Sequence, residues 1–293
     1  MKYIEKHPML MILVGICGIS VSAIFVRYSV APSAVTAAWR LLWTVILMTP
    51  VVLGKGEVRR EMAHLDKKSA CLSVCSGVFL AAHFILWFDS LGMTSVASAT
   101  TLVCTEVIWV SLGYCLFWKG RIGFKAAATI AFTFLGSTLI ALGDSGAGEG
   151  HLKGDVLAVL AAMASAVYML FGRSAQKKLS TTAYTYVVYS ACAVVLVVLC
   201  RVQKVGLLAF GLNPVIVGLA LAVFSTILGH TIFSWCLKYF SPAFVSASKL
   251  MEPVGAGILA VILFGEIPGI LALVGSLMIL LGVWYYAKIE QKA

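Results

Sequence analysis

Ten long apolar runs, separated by short stretches rich in charge, glycine or proline, govern what this chain can become. They cover approximately residues 9–30, 33–53, 69–91, 94–118, 123–143, 154–173, 181–200, 214–237, 242–264 and 268–287. A helix needs roughly 20 apolar residues to cross the hydrocarbon core, whereas a barrel strand needs only about 9–11 in alternation. The runs are therefore predicted to be transmembrane helices. Composition points the same way: of 293 residues, 61% are apolar and 12% charged, against roughly 45–50% and about 25% in soluble domains. No soluble fold of this length could hide that much apolar surface. A soluble enzyme, a secreted disulfide scaffold, a coiled coil and a disordered chain are excluded. The first run is too long for a cleavable signal peptide, contains Arg27, and is followed at once by further spans.

The net charge of +10 would suit a nucleic-acid binder in a soluble chain, but here it reports the loops, and no nucleic-acid partner is expected. The ends and even-numbered loops hold sixteen of the basic residues, among them Lys55, Arg59, Arg60, Lys67, Lys68, Lys119, Arg121 and Lys125. The odd-numbered loops hold four: Arg27, Lys153, Arg201 and Lys204. Under the positive-inside rule this asymmetry predicts a multi-pass protein of the cell membrane with both termini in the cytoplasm. The eight cysteines all fall inside apolar runs, with no C-x-x-C pair and no cysteine–histidine cluster of zinc spacing. They read as small buried hydrophobes. No metal and no cofactor is predicted.

The polar loop at 143–153 divides the runs into two sets of five. Sliding one half over the other by 147 residues lays His83 on His230, Thr94 on Ser241, and Thr105-Glu106 on Glu252-Pro253. Five spans is an odd number, so two copies would enter the membrane from opposite sides. The expected fold class is thus all-α integral membrane, ten transmembrane helices arranged as two inverted-topology five-helix repeats, residues 1–146 and 147–293. Transporters built this way hold substrate near the bilayer midplane between the copies. An asymmetric bundle with a chance repeat is the alternative.

Residues 154–173 (G-D-V-L-A-V-L-A-A-M-A-S-A-V-Y-M-L-F-G-R) and 248–266 (S-K-L-M-E-P-V-G-A-G-I-L-A-V-I-L-F-G-E) resemble the second repeat of the drug/metabolite transporter superfamily, EamA type. The closing L-V-G-S-L-M-I-L-L-G-V-W at 273–284 continues the likeness, and A-W-R-L-L at 38–42 with A-A-H-F-I-L-W-F at 81–88 resemble first-repeat segments. The resemblance implies a ten-helix, two-repeat carrier of small metabolites. One departure stands out. Where the first copy of the family has a proline in its fourth helix and G-E at its end, this chain has Glu106 and Lys119-Gly120-Arg121.

Ionisable groups deep in a span are costly and are functional candidates by default. Glu106 and Glu252 lie near the midplane of the fourth and ninth runs. Lys249, three residues before Glu252, shares its helix face and is expected to pair with it. His83 and His230 sit at opposite depths, as an inverted repeat would place them; histidine is a candidate substrate donor or proton relay, and a buried neutral ring satisfied by a backbone carbonyl is the plainer reading. Trp87, one turn beyond His83, and Tyr168 are candidates for an aromatic wall; packing is the plainer reading for each. Arg40, within snorkelling reach of an interface, is expected to anchor the second span. Pro253 is expected to loosen the ninth helix beside Glu252. Glu266, by the resemblance, is a packing or gate residue.

The expected function is secondary active transport of a small metabolite by alternating access, with export of amino acids or related amphipathic metabolites implied by the resemblance and proton coupling open. Partners are a small-molecule substrate and the lipid bilayer, with a homodimer left open. The chain has no P-loop sequence. Two alternatives are a membrane-embedded enzyme, for which no H-E-x-x-H, G-x-S-x-G or paired intramembrane aspartates are found, and a facilitative channel or exchanger.

Overall fold

The computed structural model describes residues 7–94, 96–144, 152–264 and 269–290, and no strand occurs among them. The first half comprises α1 (Pro8–Ser20), α2 (Ser22–Arg27), α3 (Ser33–Gly54), the short α4 (Gly56–Ala63), α5 (Lys67–Met93), α6 (Val96–Val103), α7 (Glu106–Trp118) and α8 (Phe124–Asp144). The second comprises α9 (Leu152–Ala175), α10 (Thr181–Val202) and α11 (Asn213–Ala220), which runs through a π-helical stretch (Leu221–Thr231) into α12 (Ile232–Cys236). Then come α13 (Pro242–Ser248), a 3-10 turn (Lys249–Met251), α14 (Glu252–Phe264) and α15 (Ile270–Glu290).

Eight of the predicted spans are helices long and apolar enough to cross a bilayer. The protein is an integral, multi-pass membrane protein. The two other predicted spans are helical but differ from an unbroken apolar rod. In α8 the apolar part is shorter, Phe124–Ile140. The run at 242–264 is divided by the 3-10 turn, and Pro253 explains why: a proline ring clashes with the carbonyl four residues back, which is that of Lys249. Pro253 therefore sits in the first turn of α14, where its missing N–H costs least. It separates two short helices, where the sequence suggested a single loosened one. The run at 94–118 breaks without a proline. There the Thr105 N–H and hydroxyl both turn back to the Leu102 carbonyl, so α6 ends and α7 begins at Glu106.

Three helix starts, those of α5, α10 and α13, carry side-chain caps. The Asp66 carboxylate accepts from Ser69 N–H at 3.1 Å, and the Ser69 hydrogen bonds hold that carboxyl below its usual range. Ser180 and Ser241 cap α10 and α13, and each is gripped by a carboxylate from another helix: Glu61 on Ser180, Glu290 on Ser241. Between helices, α5 packs along α9 and α10, α3 along α10 and α11, α1 along the π-helical stretch, and α8 along α15. The last pair crosses backbone to backbone. A methyl group added to Gly275 would collide with the Gly136 carbonyl, and one added to Gly136 would come within 2.7 Å of the Gly275 carbonyl.

Candidate polar cavity between broken helices

The two helix breaks lie 147 residues apart in the sequence, counted from Cys104 in the first to Met251 in the second. Each following half-helix opens with a glutamate, Glu106 in α7 and Glu252 in α14. A 3-10 turn winds more tightly and rises further per residue than an α-helix, so the side chains beyond each break leave the surface pattern of the helix before it. Lys249, inside the 3-10 turn, reaches the Glu106 carboxylate at 2.9 Å and 3.2 Å. The Ser165 hydroxyl of α9 donates to Glu106 Oε2 at 2.7 Å. Both charged residues are buried, at 9% and 6% exposure, and the ammonium also lies 5.6 Å from the Phe233 ring.

This corrects one expectation. Lys249 and Glu252 do share a face, but the lysine is taken by Glu106, 143 residues away. A buried ion pair offsets its desolvation only with close geometry and further hydrogen bonds, and Glu106 with Ser165 supplies both. Glu252 is left half-buried, with no hydrogen bond or ion pair to its carboxylate among the described residues.

Glu252 faces a cavity of ≈ 40 Å³ that is also lined by Glu106, Lys249, His83, His230 and Trp87. Six of the sequence candidates thus meet at one place. The two histidine rings are 6.2 Å apart, and Trp87 stacks on His83 at 6.1 Å with an interplanar angle of 12°. His83 Nδ1 lies 3.0 Å from the Ala161 carbonyl, which can only accept, so Nδ1 bears the proton and Nε2 is the free acceptor. Three lining groups, Trp87 Nε1, His230 Nδ1 and Ser22 Oγ, are buried with no hydrogen-bond partner among the described residues. Unpaired buried polar atoms cost about 1–3 kcal/mol each, so they mark where water or polar ligand atoms belong.

Tyr168 is set one layer back. Its hydroxyl bonds Ser234 at 2.8 Å and its ring lies 6.2 Å from that of His230, so it supports the wall without lining the cavity. Arg40 does not snorkel to an interface. It is fully buried, its Nε donates to Thr226 at 2.7 Å, and its guanidinium lies 4.1 Å above the Phe84 ring. The π-helical stretch makes that contact: its wider turns let the Thr226 and Thr231 hydroxyls bond carbonyls five residues back, and place Thr226 on Arg40 and His230 on the cavity. Glu266 lies outside the described residues. Sequence reading missed Ser22, Ser165 and Ser246; the signal for Ser165 was a hydroxyl in an otherwise alanine-lined helix, which has no packing motive.

The profile of the EamA-like transporter family matches residues 152–287. An uncharacterized transporter of Bacillus subtilis (strain 168), YxxF, is 23% identical over 261 residues, covering 88% of this chain and 82% of that protein. The second half of the chain carries an EamA-like transporter family domain. In fold it is similar to a chain of known crystal structure with a TM-score of 0.78 over 98% of both, at 15% identity. An EamA-type protein is a membrane transporter of small molecules, and the family and relative point away from an enzyme.

Proposed function

We propose that this EamA-type protein is a secondary transporter that exports amino acids or related amphipathic metabolites by alternating access, with protons exchanged at Glu252. The observation that carries the reading is the polar cavity at the meeting of two helices broken at repeat-equivalent positions, bridged across the halves by Lys249 and Glu106. Discontinuous helices around a midplane site are how inverted-repeat carriers hold substrate.

The packing supports residues 1–146 and 147–293 as inverted copies. Exchanging the halves turns the contact of α5 with α9 into that of the π-helical stretch with α1. It turns that of α5 with α10 into that of α11 with α3, and it returns the α3–α10 and α8–α15 contacts to themselves. A cavity of ≈ 40 Å³ holds no more than a few waters. It is the closed-down form, and rocking one half against the other opens it to either side. The amino-acid class and the direction rest on the family likeness.

Saturable counterflow of radiolabelled substrate in proteoliposomes is the expected behaviour; a flux that never saturates would mean a channel, and a chemically altered substrate an enzyme. Orientation is checked separately. With both termini cytoplasmic, a cysteine placed at Ser145 should react with a membrane-impermeant maleimide in intact cells, while one at Gly56 stays protected. The reverse pattern would overturn the orientation and the inverted-repeat reading that uses it.

A further inference from the structure

Away from the central cavity, helices α8 and α15 enclose a second, larger space that transport between the halves does not use. It measures ≈ 460 Å³ and opens on the outer face of the bundle. The cause is the close crossing of the two antiparallel helices at Gly136 and Gly275, repeated where Gly282 meets Thr133. Rods that cross in close contact splay beyond the crossing. The splay opens toward the start of α8 and the end of α15, between Phe124 and Phe132 on one wall and Leu281 and Trp284 on the other.

The occupant is specified by two features. The walls are apolar and stay exposed, Phe124 at 88% and Trp284 at 57%, on a helix pair that faces lipid rather than protein. The mouth is basic. Lys125 lines the groove itself, and Lys288 sits at the same end of α15, its ammonium 3.6 Å from the Trp284 ring. Glu290, two residues from Lys288, is hydrogen-bonded to Ser241, and neither lysine forms an ion pair among the described residues. An acyl chain in the groove with an anionic phosphate at its mouth satisfies both features; basic pockets between transmembrane helices take anionic lipid headgroups in this way. We propose that the α8–α15 groove is a binding site for an anionic phospholipid, its acyl chain between Phe132 and Leu281 and its phosphate between Lys125 and Lys288.

Trp284 reports occupancy directly. Protein is reconstituted in phosphatidylcholine bilayers containing a low, equal mole fraction of either phosphatidylglycerol or phosphatidylcholine with a brominated acyl chain. The Trp284 signal is taken as the difference between wild type and a Trp284→Phe variant. Brominated phosphatidylglycerol should quench that signal as though enriched on the order of tenfold over its bulk fraction, since each lysine near the surface favours anionic lipid; the zwitterionic lipid should quench at its bulk fraction. In the Lys125→Gln, Lys288→Gln double variant the two lipids should become equal. Both lysines are exposed, so this variant is expected to fold, and retained counterflow confirms it. Equal quenching in the wild type, or an unchanged preference in the double variant, overturns the proposal. Quenching by neither lipid, with a dimer-sized species in the same bilayers, also overturns it and assigns the groove to a second copy.

Discussion

Lys249→Met alone should lower the stability of the purified protein by about 3–5 kcal/mol, because it strands the Glu106 carboxylate in the bundle without its counter-ion. Glu106→Gln should cost a similar amount by stranding the ammonium. The informative measurement is the double variant, Lys249→Met with Glu106→Gln, followed by thermal unfolding in the same detergent. Removing both charges removes both desolvation penalties, so the double variant should be more stable than either single one, a coupling far outside the additivity of independent sites. Additive losses would mean that the 2.9 Å contact contributes nothing, and the bridge between the halves would lose its place in the mechanism. The pairing also dictates which glutamate can be tested cleanly for transport. A Glu106 variant confounds chemistry with stability.

Glu252→Gln avoids that confusion. Its carboxylate forms no ion pair among the described residues, and the amide keeps the volume, so the variant should melt with the wild type while its proton-driven transport falls to the level of protein-free liposomes. Uptake driven by an imposed pH gradient and counterflow at equal pH should be measured side by side. Loss of the gradient-driven flux with counterflow retained is the signature of a lost proton site in an intact carrier. Wild-type rates and an unchanged pH dependence would remove Glu252 from the coupling step and return attention to the histidine pair.

The 147-residue offset matched a handful of residues, and four of them, His83, Glu106, His230 and Glu252, line the central cavity, while Thr94 and Ser241 lie at helix ends. His83 and His230 were matched by the 147-residue offset and lie with their rings 6.2 Å apart. Trp87 followed from helical spacing alone, one turn beyond His83. Arg40 was read at the right depth but in the wrong direction. Depth along a span is a matter of counting residues, whereas direction around the helix depends on what stands beside it, and here Phe84 and Thr226 do.

What the amino-acid sequence determined by itself was everything that depends on local arithmetic. Runs of roughly 20 apolar residues can satisfy their backbone in a bilayer only as helices, and an ionisable residue inside such a run is anomalous without reference to any other. Those two facts yield the membrane class and the list of candidates. The tertiary structure alone decided which candidates are partners: Lys249 with Glu106, and Glu252 left open to the cavity. Such pairings depend on the rotation of one helix relative to another, and each residue turns a helix by about 100°. The breaks at Cys104-Thr105 and Lys249–Met251 shift that phase midway along two spans. Beyond each break the face a residue presents is set by the bundle packed around it.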